Sequence, residues 1–228
     1  MIIKDNTMTT VTGSLLATTT EGVIKSFSNA VESDIPFQHW IVEDMLPKEL
    51  TDQILAVHIP KTQGFVYDGT RASDSKLTPG GTPPKRMFIG KETRHEFPFF
   101  QDLVDSFLSD DVLSIVNHKF GVPTKDLFLR VEYINDFDGF YLEPHKDIVE
   151  KRFTLLLFLG DGPEYMGTDF YDPDFNVVKT VKFGHNRGYV FTPSENSWHG
   201  LERKPIPDRR CSLLINYVTF KTDWPVGG

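Results

Sequence analysis

Two histidines, an aspartate and an arginine have the types and spacing to do chemistry together. His145 and Asp147 form an H-x-D pair inside "LEPHKDIVEKRFTLLLFLG". In extended backbone, residues i and i+2 share a face. An imidazole and a carboxylate can then address one point while Lys146 turns away. Alone the pair is a weak signal, because a surface turn with an Asp–His hydrogen bond has the same letters. His199, in "SENSWHGL", lies far enough along the chain for intervening strands to bring it back to His145. Taken singly it reads as a core histidine. Two imidazoles and one carboxylate on one side of a metal form the facial triad of non-haem Fe(II) chemistry. Such a site keeps the opposite face of the ion open for a chelating co-substrate and dioxygen, which further protein ligands would block.

Arg210 opens the strand-like run "RCSLLINYV". Alternation puts Arg210, Ser212 and Leu214 on one face and Cys211, Leu213, Ile215 and Tyr217 on the other. An arginine entering an otherwise apolar strand needs a partner, since an unpaired buried charge is costly. A bound dicarboxylate would supply one, gripped by the planar guanidinium through two parallel hydrogen bonds. Arg209 reads as a rim salt bridge.

Several elements must position these groups. From residue 126 onward the pattern is one of strands. "LFLRVEYI" alternates Leu127, Leu129, Val131 and Tyr133 against Phe128, Arg130, Glu132 and Ile134. Further strands are expected at 140–142, 153–159, 169–171, 177–183, 189–192, 197–202 and 211–220. Short strands with turn signals between them predict a mainly β jelly roll with flanking helices. Helices are expected after Pro47, with Leu50, Ile54, Leu55 and Val57 on one face, and twice within 98–120, the second capped by Ser109 or Asp110. Residues 60–86 are crowded with Gly, Pro, Thr and Ser, and the stretch 60–96 reads as a cover over the mouth. Within it Lys85 and Arg86 could meet an acidic group or be solvated loop charges. Residues 1–35, rich in Thr and Ser, read as a flexible N-terminal arm, leaving 36–228 as the functional domain.

The ordered set resembles the Fe(II)/2-oxoglutarate-dependent dioxygenases, in the branch similar to prolyl 4-hydroxylases. The resemblance rests on H-x-D at His145 and Asp147, His199 within "SWHGL", and R-x-S at Arg210 and Ser212, in the family's order and spacing. It covers roughly residues 127–220 and, more loosely, "PFQHWIVEDMLPKEL". It implies a double-stranded β-helix, that is, a jelly roll. It implies Fe(II) on His145, Asp147 and His199, with 2-oxoglutarate and O2 as co-substrates. Arg210 would bind the distal carboxylate of 2-oxoglutarate with Ser212 as helper. Tyr133 would be the strand tyrosine that often touches the co-substrate, or else a core aromatic. Asp147 is present where related halogenases lack the carboxylate, which favours hydroxylation. Asn216 stands where the nucleobase demethylases carry a further arginine, which speaks against repair of DNA or RNA.

Net charge is −8 and the pI about 5.3, so a broad basic face for nucleic acid or anionic membrane is not expected. The single cysteine, Cys211, allows no internal disulfide and suits a reducing cytoplasm. Neither a secretory signal within residues 1–20 nor a membrane-spanning apolar run is expected. The first functional expectation is a hydroxylase acting on a small metabolite, such as an amino acid or natural-product intermediate. Alternatives are a peptidyl, prolyl-type hydroxylase, a non-catalytic jelly-roll binding module with a structural metal, and a cupin-type metalloenzyme without 2-oxoglutarate. Trp198 reads as a substrate wall or core residue, and Asp169 as facing the site or capping a turn. His39, His58, His95, His118 and His185 lack ligand spacing and read as core or surface residues.

Overall fold

The computed structural model describes residues 8–59 and 85–227, with side chains described from Leu15 and Arg86 onward in these segments. Two antiparallel sheets face each other. The larger has eight strands, in the order β1 (Val31–Ser33), β2 (His39–Glu43), β9 (Arg187–Phe191), β6 (Lys151–Leu159), β11 (Arg210–Val218), β4 (Phe128–Asp136) and β12 (Trp224–Pro225). The eighth strand, β3 (Lys85–Phe88), also pairs with β4. The smaller sheet has the order β5 (Leu142–His145), β10 (His199–Leu201), β7 (Thr168–Tyr171), β8 (Val177–Val181). This is the jelly-roll architecture expected of the sequence, with the strands after residue 126 close to their predicted places.

Alternation along the long strands sorts side chains into two cores. Leu129, Val131 and Tyr133 of β4, and Cys211, Leu213, Ile215 and Tyr217 of β11, face the helices in one buried cluster. Phe158, Phe170, Tyr189, Phe191 and Leu201 fill the space between the sheets in a second. Among the described residues five helices flank the larger sheet: α1 (Met8–Asn29), α2 (Lys48–Leu55), α3 (Lys91–Glu96), α4 (Phe99–Leu108) and α5 (Asp110–Phe120). Helix α5 starts at Ser109, whose side chain accepts from the Val112 N–H, and stops at Gly121 in the left-handed conformation (φ 68°).

Residues 8–33 are not the arm that their composition suggests. They form α1 and β1, and α1 packs on α4 and α5. Leu15, Thr19, Val23 and Phe27 recur every fourth residue and are all buried. The ring of Phe27 lies 5.1 Å from that of Phe120 and 6.0 Å from that of Phe153. Threonine lowers helix propensity, but tertiary packing of one face outweighs it. Residues 60–84 of the expected cover lie outside the described residues, while 85–88 form β3 and 91–96 form α3.

Candidate metal centre

Strand pairing brings the two histidines together. His145, last in β5, is the register partner of His199, first in β10, and their rings lie 4.3 Å apart. The two strands approach closely beside them, and only Gly200 permits it: a Cβ there would sit 2.5 Å from the Leu142 carbonyl oxygen. Each imidazole is tethered identically. Nδ1 of His145 lies 2.9 Å from the Glu143 carbonyl, and Nδ1 of His199 lies 2.9 Å from the Ser197 carbonyl. A carbonyl only accepts, so each Nδ1 carries the hydrogen and each Nε2 keeps its lone pair.

Asp147 completes the group: one ligand atom from each of the three residues lies within 4.8 Å of the others. Strand alternation is not what aims it. β5 ends at His145, and Asp147 lies in the connection to β6. There Lys151 Nζ donates to Oδ1 (2.5 Å) and the Thr154 hydroxyl to Oδ2 (2.7 Å). Burial raises the Asp147 pKa, but the ammonium of Lys151 and the hydrogen bonds from Lys151 and Thr154 hold it well below the usual carboxylate range. Burial and the neighbouring His199 push His145 down to about 3, and burial also lowers His199. At neutral pH the site therefore presents two neutral imidazoles and one carboxylate, the protonation state that a divalent metal requires.

The triad opens into a cavity of about 250 Å³ between the sheets. Arg210, Ser212 and Leu214 line it from β11, with Ile134 and Asp136 from β4 and Thr154 and Leu156 from β6. Arg210 is buried and its charge is already balanced. It donates to the Asp136 carboxylate (2.7 Å), the Met166 carbonyl (2.6 Å) and the Thr168 hydroxyl (3.2 Å), and its guanidinium lies 5.0 Å over the Phe158 ring. The partner expected from sequence was a bound dicarboxylate; Asp136, opposite Arg210 in the β4–β11 register, was missed. These bonds engage three of the five guanidinium N–H groups and leave two for a ligand. Ser212 Oγ is buried in the same wall and has no hydrogen-bond partner among the described residues.

Other sequence candidates fall elsewhere. Tyr133 is on the helix-facing side of β4, its hydroxyl 3.8 Å from Cys211 Sγ, and it does not line the cavity. Alternation separates it from Ile134 and Asp136, which do. The tyrosine in the cavity wall is Tyr189 of β9. Arg86, read as a solvated loop charge or as one that meets an acidic group, is buried on β3 and lines the cavity, with Glu132 3.9 Å away. Trp198 is not among the residues lining the cavity; it lies under Lys146 Nζ (5.1 Å) and against the Phe175 ring (4.9 Å). Asp169 faces away and binds Thr180, Lys204 and the Glu202 N–H. Arg209 donates to the Leu55 carbonyl at the end of α2 and makes no rim salt bridge among the described residues.

The residues fit a ferrous ion by their donor chemistry: two aimed Nε2 lone pairs and one ionised carboxylate. The buried, partnerless Ser212 hydroxyl and the two remaining Arg210 donors fit an oxygen-rich anion beside it.

No family model matches the sequence, and no curated protein does. Solved structures share its fold. A prolyl-4-hydroxylase from Pseudomonas putida aligns with a TM-score of 0.52 at 14% identity, over 88% of this chain and 99% of its own. A prolyl hydroxylase from Trichoplax adhaerens, solved with a hypoxia-inducible factor peptide fragment, aligns with a TM-score of 0.54 at 14% identity, over 95% and 94%. The non-haem α-ketoglutarate-dependent epimerase SnoN of nogalamycin biosynthesis aligns with a TM-score of 0.52 at 13% identity, over 87% and 82%.

Proposed function

We propose that this protein is an Fe(II)- and 2-oxoglutarate-dependent oxygenase that hydroxylates an unactivated C–H bond. The observation that carries the reading is the convergence of His145, Asp147 and His199 on one point of the cavity into which Arg210 and Ser212 also face. His145 and His199 would bind the ion through Nε2 and Asp147 through a carboxylate oxygen. Arg210 would bind the distal carboxylate of 2-oxoglutarate through its two remaining donors, with Ser212 Oγ as a further donor. Bound there, iron and 2-oxoglutarate supply the activation of O2, coupled to decarboxylation to succinate and CO2. The protein holds the reactants in place and keeps water out. Asp136, Thr168 and the Met166 carbonyl lock the guanidinium in one orientation before the co-substrate arrives. Ile134, Phe140, Leu156, Leu201 and Leu214 make the walls apolar.

The cavity is slightly smaller than the ~300–1,000 Å³ of pockets that enclose drug-sized ligands. Beside 2-oxoglutarate it accommodates a small reacting group, which supports a small metabolite such as an amino acid or natural-product intermediate. A peptidyl side chain is the second reading, supported by the Trichoplax hydroxylase and its peptide. A succinate-release assay with Fe(II), 2-oxoglutarate and a panel of metabolites and peptides tests both. Substrate-dependent succinate is expected from the parent and none from Asp147→Ala. Turnover retained in Asp147→Ala would reject the triad, and a protein that forms no succinate, coupled or uncoupled, would be a binding module instead.

A further inference from the structure

We propose that Asn216 is a positioning residue for the metal centre, acting through Thr154 to fix the hydrogen bond that its hydroxyl donates to the Asp147 carboxylate; this rests on the metal-binding reading above. Asn216 lies near the C-terminal end of β11, on the cavity-facing side of the strand, between Thr154 of β6 and Arg130 of β4 in the strand register. It is fully buried. Its Nδ2 is 2.9 Å from Thr154 Oγ1 and 3.3 Å from the Phe153 carbonyl oxygen.

Chemistry dictates the direction of this chain of bonds. The Phe153 carbonyl can only accept, so the amide must turn its NH2 toward that oxygen and toward Thr154. Thr154 Oγ1 then receives an N–H from Asn216, and its single hydrogen goes to Asp147 Oδ2 at 2.7 Å. With Lys151 on Oδ1, both carboxylate oxygens are held by donors from β6, and Asn216 reaches across from β11 to fix the polarity of one. Without Asn216, the Thr154 hydroxyl is free to rotate its hydrogen toward another acceptor and release Oδ2.

A second observation argues that packing alone does not explain the amide. Asn216 Oδ1 is buried and has no hydrogen-bond partner among the described residues. Leaving an acceptor unmet is costly, and an aliphatic residue would avoid that cost in a strand otherwise rich in Leu and Ile. The amide is thus kept for its Nδ2 end. Outer hydrogen bonds of this kind tune metal affinity by about 10–100-fold.

The test titrates the full-length, ion-free protein with Co(II), following its visible absorption. Asn216→Leu is expected to weaken binding about tenfold, as is Thr154→Val, while Thr154→Ser retains parent affinity. The double variant Asn216→Leu/Thr154→Val should bind no more weakly than Thr154→Val alone, because Asn216 acts only through that hydroxyl. Asn216→Leu within twofold of the parent, or losses that add in the double variant, would overturn the proposal. Should circular dichroism show that Asn216→Leu does not fold, Asn216→Asp keeps the size and presents an acceptor to Thr154, drawing its proton off Asp147. The same weakening and non-additivity are expected of it, and unchanged affinity would overturn the proposal. A parent that binds Co(II) no better than Asp147→Ala would sink the metal-binding reading itself, and this inference with it.

Discussion

At the residue scale, Arg210 shows how a charge is kept in the buried wall of a cavity. Asp136 neutralises it, and the guanidinium stays oriented. Removing the side chain would take from the Asp136 carboxylate its Arg210 ion pair and destabilise the fold, so Arg210→Ala mixes two effects. Arg210→Lys keeps the charge but loses the fork. Its KM for 2-oxoglutarate should rise at least about tenfold, consistent with the ~1.5–3 kcal/mol of a charged hydrogen bond, while urea denaturation shows the fold retained. An unchanged KM would remove Arg210 from the co-substrate site. His39 sets a pH dependence away from the metal. Its Nδ1 donates to the Phe37 carbonyl (2.7 Å), and its Nε2 accepts from Lys179 (2.7 Å). Burial, with help from the Lys179 ammonium, lowers its pKa from the ordinary 6.5, against the opposing pull of the Phe37 carbonyl and Asp34. Below about pH 6.5 the unfolded chain therefore binds a proton that the folded chain resists, and stability falls as pH falls. The melting temperature should drop between pH 7 and 5.5, and less steeply in His39→Gln. Identical slopes would rule out this contribution.

At the element scale, one close contact sets the site. β5 and β10 carry His145 and His199 on facing positions, and the backbone of Gly200 lies against that of β5. Gly200→Ala places a methyl 2.5 Å from the Leu142 carbonyl oxygen, and backbone cannot yield as a flexible side chain does. The strands must part, separating the imidazoles. Co(II) affinity should fall by more than tenfold, together with the melting temperature; unaltered binding would show that the pairing does not hold the ligands. Strand β4 teaches a different lesson. Its alternation is plain in "LFLRVEYI", but both its faces are buried, one against helices and one against the cavity. The letters do not say which face is which, and so only the packing separates the two readings of Tyr133, favouring the core aromatic. Helix α1 was hidden for a related reason, since its buried stripe includes a threonine and its stability comes from α4, α5 and β6.

At the scale of the whole molecule, the sandwich gathers the candidate metal ligands. The ligands come from β5, β10 and the β5–β6 connection, all at one mouth between the sheets. An ion that binds only the folded state adds stability by mass action, about 2.7 kcal/mol at 100 times its Kd. For a chain of 228 residues that corresponds to a rise of roughly 5–11 °C in melting temperature. Mn(II) or Co(II) should produce it, EDTA should reverse it, and Asp147→Ala should not respond. A parent whose melting temperature ignores the ions would contradict a metal site in the folded protein. Among the described residues no helix is long and apolar enough to cross a membrane.

The sequence by itself determined the periodicities, and with them the strand-rich second half and the division of β11 into two faces. It also supplied the ordered set His145, Asp147, His199, Arg210 and Ser212, because residue types and spacings are written in the chain. Only the tertiary structure decided that Asp136 balances Arg210, that Lys151 and Thr154 hold Asp147 while Asn216 bonds Thr154, and that Tyr133 looks away while Arg86 looks in. Those outcomes depend on which strands become neighbours and in what register. Such pairings join residues far apart in sequence, and no local pattern encodes them.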